Sequence, residues 1–153
     1  MQWTVGSVFG TGHFALAPGT LASVATIPLI WLLSRSSIVY VLVLLSAFFV
    51  GVVVAGTMER RWSRDVRYIT IDELVGMLVS CVFVPISISS IALGLLVFRV
   101  MDMTKPVFIR CIERFSGGWG VMLDDVAAGI LTNAILQLTF RLLLPALQVR
   151  GAV

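Results

Sequence analysis

An all-α fold is what this sequence predicts: a polytopic membrane helical bundle forming a single domain over residues 1–153. Three observations carry that expectation. Hydrophobic residues make up 59% of the chain and charged residues only 12%, with a mean hydropathy of +1.05. A water-soluble domain carries roughly 25% charged residues, so this chain lacks the material for a wetted surface. Two apolar segments, Ile38 to Thr57 and Val126 to Leu147, reach the roughly 20 residues that a helix needs to cross a bilayer. Finally, five of the eight carboxylates are gathered in three short clusters, Asp72-Glu73, Asp102 and Asp124-Asp125. An ionisable side chain near lipid is costly and marks an ion or substrate site.

The elements follow in chain order. Residues 3–17 are apolar but broken by Gly6, Gly10 and Gly12, which reads as a short helix or interfacial segment before a tight turn at Ala17-Pro18-Gly19-Thr20. Gly6 and Gly10 have the spacing of a close helix contact. The first residues have no positive n-region, so insertion is expected to rest on the internal apolar segments. Leu21 to Leu33 forms the next apolar stretch. Within Ile38 to Thr57, Ala47, Gly51 and Ala55 recur every four residues as a small-residue stripe for helix packing.

Residues 74–97 carry no charge and admit two readings. They form one crossing, or two short helices, Leu74 to Val84 and Ile88 to Val97, turning at Pro85-Ile86-Ser87. Basic residues favour the hairpin. Arg60, Arg61, Arg64 and Arg67 precede the segment, while Arg99, Lys105, Arg110 and Arg114 follow it, and positive residues collect on the cytoplasmic side. A hairpin puts all of these on one face, together with the three acidic clusters and the Pro18-Gly19-Thr20 turn. Helices so short are re-entrant, tilted, or extended by their polar ends. Residues 104–116 read as an interfacial amphipathic helix with Pro106 in its first turn. Trp3, Trp31, Trp62 and Trp119 read as interfacial anchors.

The net charge of +3 suits anionic headgroups, and no basic run interleaved with aromatics offers a nucleic-acid surface. Cys81 and Cys111 make neither a disulfide framework nor a zinc pattern. His13, the sole histidine, rules out a two-histidine phosphatase within one chain, and Gly117 stands where a cysteine phosphatase needs arginine after Cys111. Hard carboxylate oxygens suit Mg²⁺, which takes one or two protein carboxylates and leaves room for water and phosphate. Neighbours on a helix point about 100° apart, so one member of each acidic pair is the expected ligand and the other orients water, holds a second ion or caps the helix. Asp72 and Asp124 also suit helix N-termini, a purely structural role. Arg99 and Asp102 share a helix face at i, i+3 spacing; they form an ion pair, or Arg99 joins Lys105 on phosphate oxygens beside the metal.

Four stretches carry a family resemblance: Ala17-Pro18-Gly19-Thr20-Leu21-Ala22-Ser23, Ile71-Asp72-Glu73-Leu74-Val75-Gly76-Met77, Phe98 through Pro106 and Gly117 through Gly129. In order and rough spacing they resemble bacterial phosphatidylglycerophosphatase A across about residues 3–135. Ala22 departs from the family's usual glycine, a matter of packing. The resemblance implies a small α-helical inner-membrane enzyme that uses Mg²⁺ to remove the terminal phosphate of phosphatidylglycerophosphate at the cytoplasmic face. It places the family's acidic positions on Asp72, Glu73, Asp102, Asp124 and Asp125, as catalytic and metal-binding residues. Arg99 and Lys105, with Gly19 and Thr20, fall on its phosphate-binding positions. The partners implied are an anionic phospholipid substrate and membrane lipids; oligomeric state is left open. A rival reading is a small ion- or proton-coupled carrier using the same acids, although no inverted repeat is visible. A third is an assembly protein whose acids only cap helices.

Overall fold

The computed structural model describes residues 18–62, 70–105 and 117–143, and every regular element among them is helical. The proposed segment at 3–17, its Gly6/Gly10 pair and the amphipathic helix at 104–116 lie, beyond Lys105, outside the described residues.

The apolar stretch from Leu21 forms two helices rather than one: α1 is Pro18–Ala25 and α2 is Ile27–Leu33. Pro28 explains the break, because it lacks an N–H and its ring crowds the carbonyl four residues back. Thr26 holds the joint, donating from Oγ1 to the Ala22 carbonyl at 2.8 Å. The third helix, α3, runs Ser37–Trp62, and its 26 residues extend about 39 Å. Its apolar part, Ser37–Met58, is long enough to cross a membrane, yet only 22% of that window is buried inside the molecule. The core helix of a soluble protein would be mostly buried. Here Ile38, Leu42, Phe49 and Val53 face outward, so the surrounding solvent is lipid.

A short helix, α4 (Ile71–Cys81), turns through residues 82–87 into α5 (Ile88–Thr104). The hairpin expected from the basic residues is therefore present, and α5 is extended by its polar end past Val97. Ser87 caps α5 reciprocally with Ser90: the Ser90 N–H donates to Ser87 Oγ at 3.1 Å, and the Ser87 N–H to Ser90 Oγ at 2.8 Å. At 11 residues α4 reaches about 16 Å, well short of a ~30 Å hydrocarbon core. Its final carbonyls need partners that lipid cannot supply. Those partners come from one face of the last helix, α6 (Gly118–Gln137), which continues as a π-helical turn, Leu138–Leu143. Asn133 donates to the Ser80 carbonyl at 3.0 Å and the Val82 carbonyl at 2.8 Å; Gln137 donates to Val82 at 3.3 Å, and Arg141 to Phe83.

The helix α6 spans, and it differs from the expected segment at its start. It begins at Gly118 rather than Val126, so Asp124 and Asp125 lie inside it, on its second and third turns. The residue preceding it is Gly117, which removes a capping role from both aspartates. Small residues make the packing. Gly118 presses on the Val52 carbonyl and Gly56 of α3, and Gly51 opposes Met122, so the expected stripe on α3 is the seat of α6. On α4, Gly76 admits the Phe98 ring from α5 and the Asp125 carbonyl, at 2.6 and 2.9 Å from where a Cβ would stand. The core that results is built on Ile30, Met77, Leu78, Ile91, Phe98 and Ala128, with α4 at its centre.

Candidate active site

Because α4 and α5 are antiparallel, the start of one lies beside the end of the other. Arg99 Nη1 stands 2.9 Å from Glu73 Oε2 and 3.2 Å from Asp102 Oδ2, so one guanidinium ties two of the acidic clusters together. The intrahelical ion pair foreseen for Arg99 and Asp102 is present, and Glu73 is its addition from α4. Lys105 ends α5 in a left-handed conformation at φ 39°, which swings its ammonium across to α6, 2.6 Å from Asp124 Oδ2. The third cluster thereby joins the other two.

From α1, Gly19 faces the Glu73 carboxylate so closely that a side chain there would overlap it. Ser23, one turn further on, donates from Oγ to the Gly19 carbonyl at 3.0 Å and reaches Glu73 Oε2 at 3.4 Å. Sequence reasoning gave Ser23 no role, although its i+4 spacing from Gly19 was the available signal. Thr20 lies half-buried on the same turn, and its side chain makes no hydrogen bond among the described residues. The predicted site residues therefore share one end of the bundle, with Thr20 at the edge.

The buried centre is the pair Asp72 and Asp125. Asp72 is 8% exposed and Asp125 4%. Asp72 Oδ1 accepts the Glu73 N–H at 2.8 Å, a first-turn contact that keeps part of the helix-terminus role foreseen for it. Nothing among the described residues hydrogen-bonds or ion-pairs with the Asp125 side chain, and of the neighbouring charges Asp72 acts on it most strongly. Burial, and then the neighbouring Glu73 carboxylate, push Asp72 well above the usual carboxylate range. Burial also raises Glu73, against the opposing pull of Arg99.

Among the described residues two cations, Arg99 and Lys105, pair with Glu73, Asp102 and Asp124, and neither reaches the buried Asp72 or Asp125. An unpartnered buried carboxylate next to a second one is expensive unless a cation or a proton joins them. The donor set therefore fits a hard divalent ion. Among the described residues no three acids converge into a ready-made metal cage, because Glu73 and Asp102 turn toward Arg99 and Asp124 toward Lys105. Mg²⁺ does not need one, since it takes one or two carboxylates and fills its shell with water and phosphate.

Comparison with known proteins gives the family. The family model described as Phosphatidylglycerophosphatase A matches residues 4–140. The chain belongs to the phosphatidylglycerophosphatase A family. The resemblance read from the four motifs is thus correct. Similar proteins include the Phosphatidylglycerophosphatase A of Escherichia coli, 34% identical over 132 residues, covering 84% of this chain and 77% of that one. The Haemophilus influenzae protein of the same name is 33% identical over 127 residues, covering 80% and 78%. A Bacteroides thetaiotaomicron protein named Putative phosphatidylinositol-3-phosphatase is 35% identical over 139 residues, covering 82% and 85%. No solved structure matches at a significant level. With family membership and the two long apolar helices α3 and α6, the protein is a membrane protein.

Proposed function

We propose that the protein is a Mg²⁺-dependent phosphatidylglycerophosphatase that hydrolyses the terminal phosphate monoester at the cytoplasmic face of the bacterial inner membrane. The observation that carries the metal part is the buried Asp125, unpartnered among the described residues, beside Asp72. Asp72 and Asp125 are the residues that would hold the ion, with Asp124, Asp102 and Glu73 around them. Bound there, Mg²⁺ supplies charge neutralisation for the phosphate and acidifies a water molecule. The chain's own residues do the rest. Arg99 and Lys105, already at the cluster, offer N–H groups to the equatorial phosphate oxygens, where charge builds up during transfer. A neighbouring carboxylate oxygen, such as Asp102 Oδ1, takes the proton from the attacking water. The bond from phosphorus to the glycerol oxygen breaks as the new P–O bond forms, the glycerol oxygen regains a proton, and inorganic phosphate and phosphatidylglycerol leave. Lipid chains stay in the leaflet throughout, which suits a site at one end of a lipid-exposed bundle.

The names of the relatives support a lipid phosphomonoester as substrate, and two of the three support phosphatidylglycerophosphate. The carrier reading has less behind it, because the acids gather at one end of the α4–α5 hairpin rather than around a two-sided central site. The test is phosphate release by purified protein in detergent, from phosphatidylglycerophosphate and from phosphatidylinositol 3-phosphate in parallel. Activity on the first that disappears in EDTA and returns with Mg²⁺ is expected. Full turnover in excess chelator defeats the metal mechanism, and preference for the inositol lipid defeats the substrate assignment. For orientation, a cysteine at Ser36 should label from the periplasmic side and one at Asp65 from the cytoplasmic side.

A further inference from the structure

A cavity of 440 Å³ opens at the end of the bundle away from the carboxylates, within the roughly 300–1,000 Å³ range of small-ligand sites. Ser34 of the α2–α3 turn, Ser37 and Tyr40 at the start of α3, the α4–α5 turn around Phe83, and Arg141 line it. The length of α4, about 16 Å, separates it from Asp72, so it is not part of the candidate active site.

Its charge is unbalanced. Asp72, Glu73, Asp102, Asp124 and Asp125 all stand at the other end. The one partner of Arg141 among the described residues is the Phe83 carbonyl, which is neutral and occupies only part of a five-donor guanidinium. Arg35 lies in the same α2–α3 turn, and Ser37 adds an exposed hydroxyl to the wall. A cation at a bilayer edge with no acid beside it among the described residues attracts an anion. The rim narrows the choice. Val82, Phe83, Val84, Pro85 and Ile86 line its α4–α5 side, and Phe83 is 57% exposed, so the cavity mouth is apolar there and suited to acyl chains. A small hydrophilic anion would gain nothing from that rim.

We propose that this cavity holds the phosphodiester headgroup of an anionic phospholipid from the leaflet opposite the carboxylate cluster. Arg141 and Ser37 donate to the phosphate oxygens, and the acyl chains lie against Phe83, Val84 and Ile86. Such a lipid would anchor the turn that joins α4 to α5, and with it the far end of the helix that carries Asp72.

The experiment uses the full chain in detergent micelles and measures binding of dioctanoyl phosphatidylserine, dioctanoyl phosphatidylcholine and glycerol 3-phosphate. Phosphatidylserine is chosen because it is neither the proposed substrate nor the product. It should bind about tenfold more tightly than phosphatidylcholine, glycerol 3-phosphate should not displace it, and Arg141→Gln should weaken it about tenfold. Ser37→Leu, which removes the second donor from the cavity wall and leaves the arginine in place, should weaken it as well, so the outcome does not hang on Arg141→Gln folding. Lys105→Gln should leave binding unchanged. Equal binding of both lipids makes the cavity an acyl groove and overturns the proposal. Displacement by glycerol 3-phosphate makes it a free-phosphate site and does the same. Loss of binding in Lys105→Gln, but not in Arg141→Gln or Ser37→Leu, assigns the lipid to the active site and likewise overturns it.

Discussion

Arg99 reaches Glu73 across 26 positions of sequence, Nη1 to Oε2 at 2.9 Å, and this contact closes the open end of the α4–α5 hairpin. Both side chains are about one-fifth exposed, so the pair is partly screened and its worth to stability is modest. Its consequence is positional: Glu73 and Asp102 are held on either side of one cation.

Removing one member should therefore affect activity more than folding. Glu73→Gln is expected to lower kcat/KM about a hundredfold, a typical cost for a lost charge-stabilising group. Its thermal midpoint should shift by only a few degrees. Steady-state kinetics beside circular-dichroism melting checks both. A large loss of stability with intact activity would make the pair a structural clasp.

Two glycines should respond differently to alanine. At Gly19 the new methyl group would meet the far end of a flexible side chain, the Glu73 carboxylate, which moves aside. Gly19→Ala is expected to fold normally and lose about tenfold or more in turnover. At Gly118 the methyl group would meet the Val52 carbonyl and the Gly56 backbone, neither of which can swing away. Gly118→Ala should cost about 2 kcal/mol or more in stability by separating α6 from α3. Urea unfolding in micelles distinguishes the two.

The metal-free protein should become less stable as pH rises. Asp72 has its proton held well above the usual carboxylate range by burial and by Glu73. A carboxyl raised in the fold contributes stability that is complete below its unfolded value of about 4 and is lost as pH climbs through the folded value. In EDTA, the thermal midpoint should fall as pH rises above about 5. Saturating Mg²⁺ should flatten that fall, because the ion replaces the proton, and Asp72→Asn should reduce it without metal. A midpoint that is flat in EDTA over this range would contradict the burial of Asp72.

Asn133 should matter to stability although it is far from any acid. It alone donates to both the Ser80 and Val82 carbonyls at the end of α4. Asn133→Leu takes the side-chain donor from the Ser80 carbonyl, leaves Val82 with Gln137 alone, and is expected to destabilise the fold by about 2 kcal/mol. Turnover per folded molecule should persist, since Asp72 lies at the opposite end of α4.

Much of the site was legible because charges are rare in this chain. Each of Asp72, Glu73, Asp102, Asp124 and Asp125 stands out against lipid-compatible sequence, and the arginines on either side of residues 74–97 indicated a hairpin before any coordinates. Ser23 was not legible, since a serine in an apolar stretch is ordinary until a helix start brings it to Glu73. The extent of α6 was hidden for a different reason. Glycine is a poor helix former, so Gly117-Gly118 and Gly120 carry no helix signal and the segment was expected from Val126, while in the fold the missing side chain of Gly118 lets α6 begin against α3.

Composition and the spacing of charges, by themselves, determined that this is a helical membrane protein with one acidic face, because lipid tolerates so few ionisable groups that their positions carry the message. Only the tertiary structure decided which acids are neutralised and which are not. Arg99 could have served Asp102 alone, and Lys105 any acid within reach. Antiparallel packing of α4, α5 and α6 gives those two cations to Glu73, Asp102 and Asp124, and leaves Asp72 facing Asp125 in the interior, where the need for a cation is greatest.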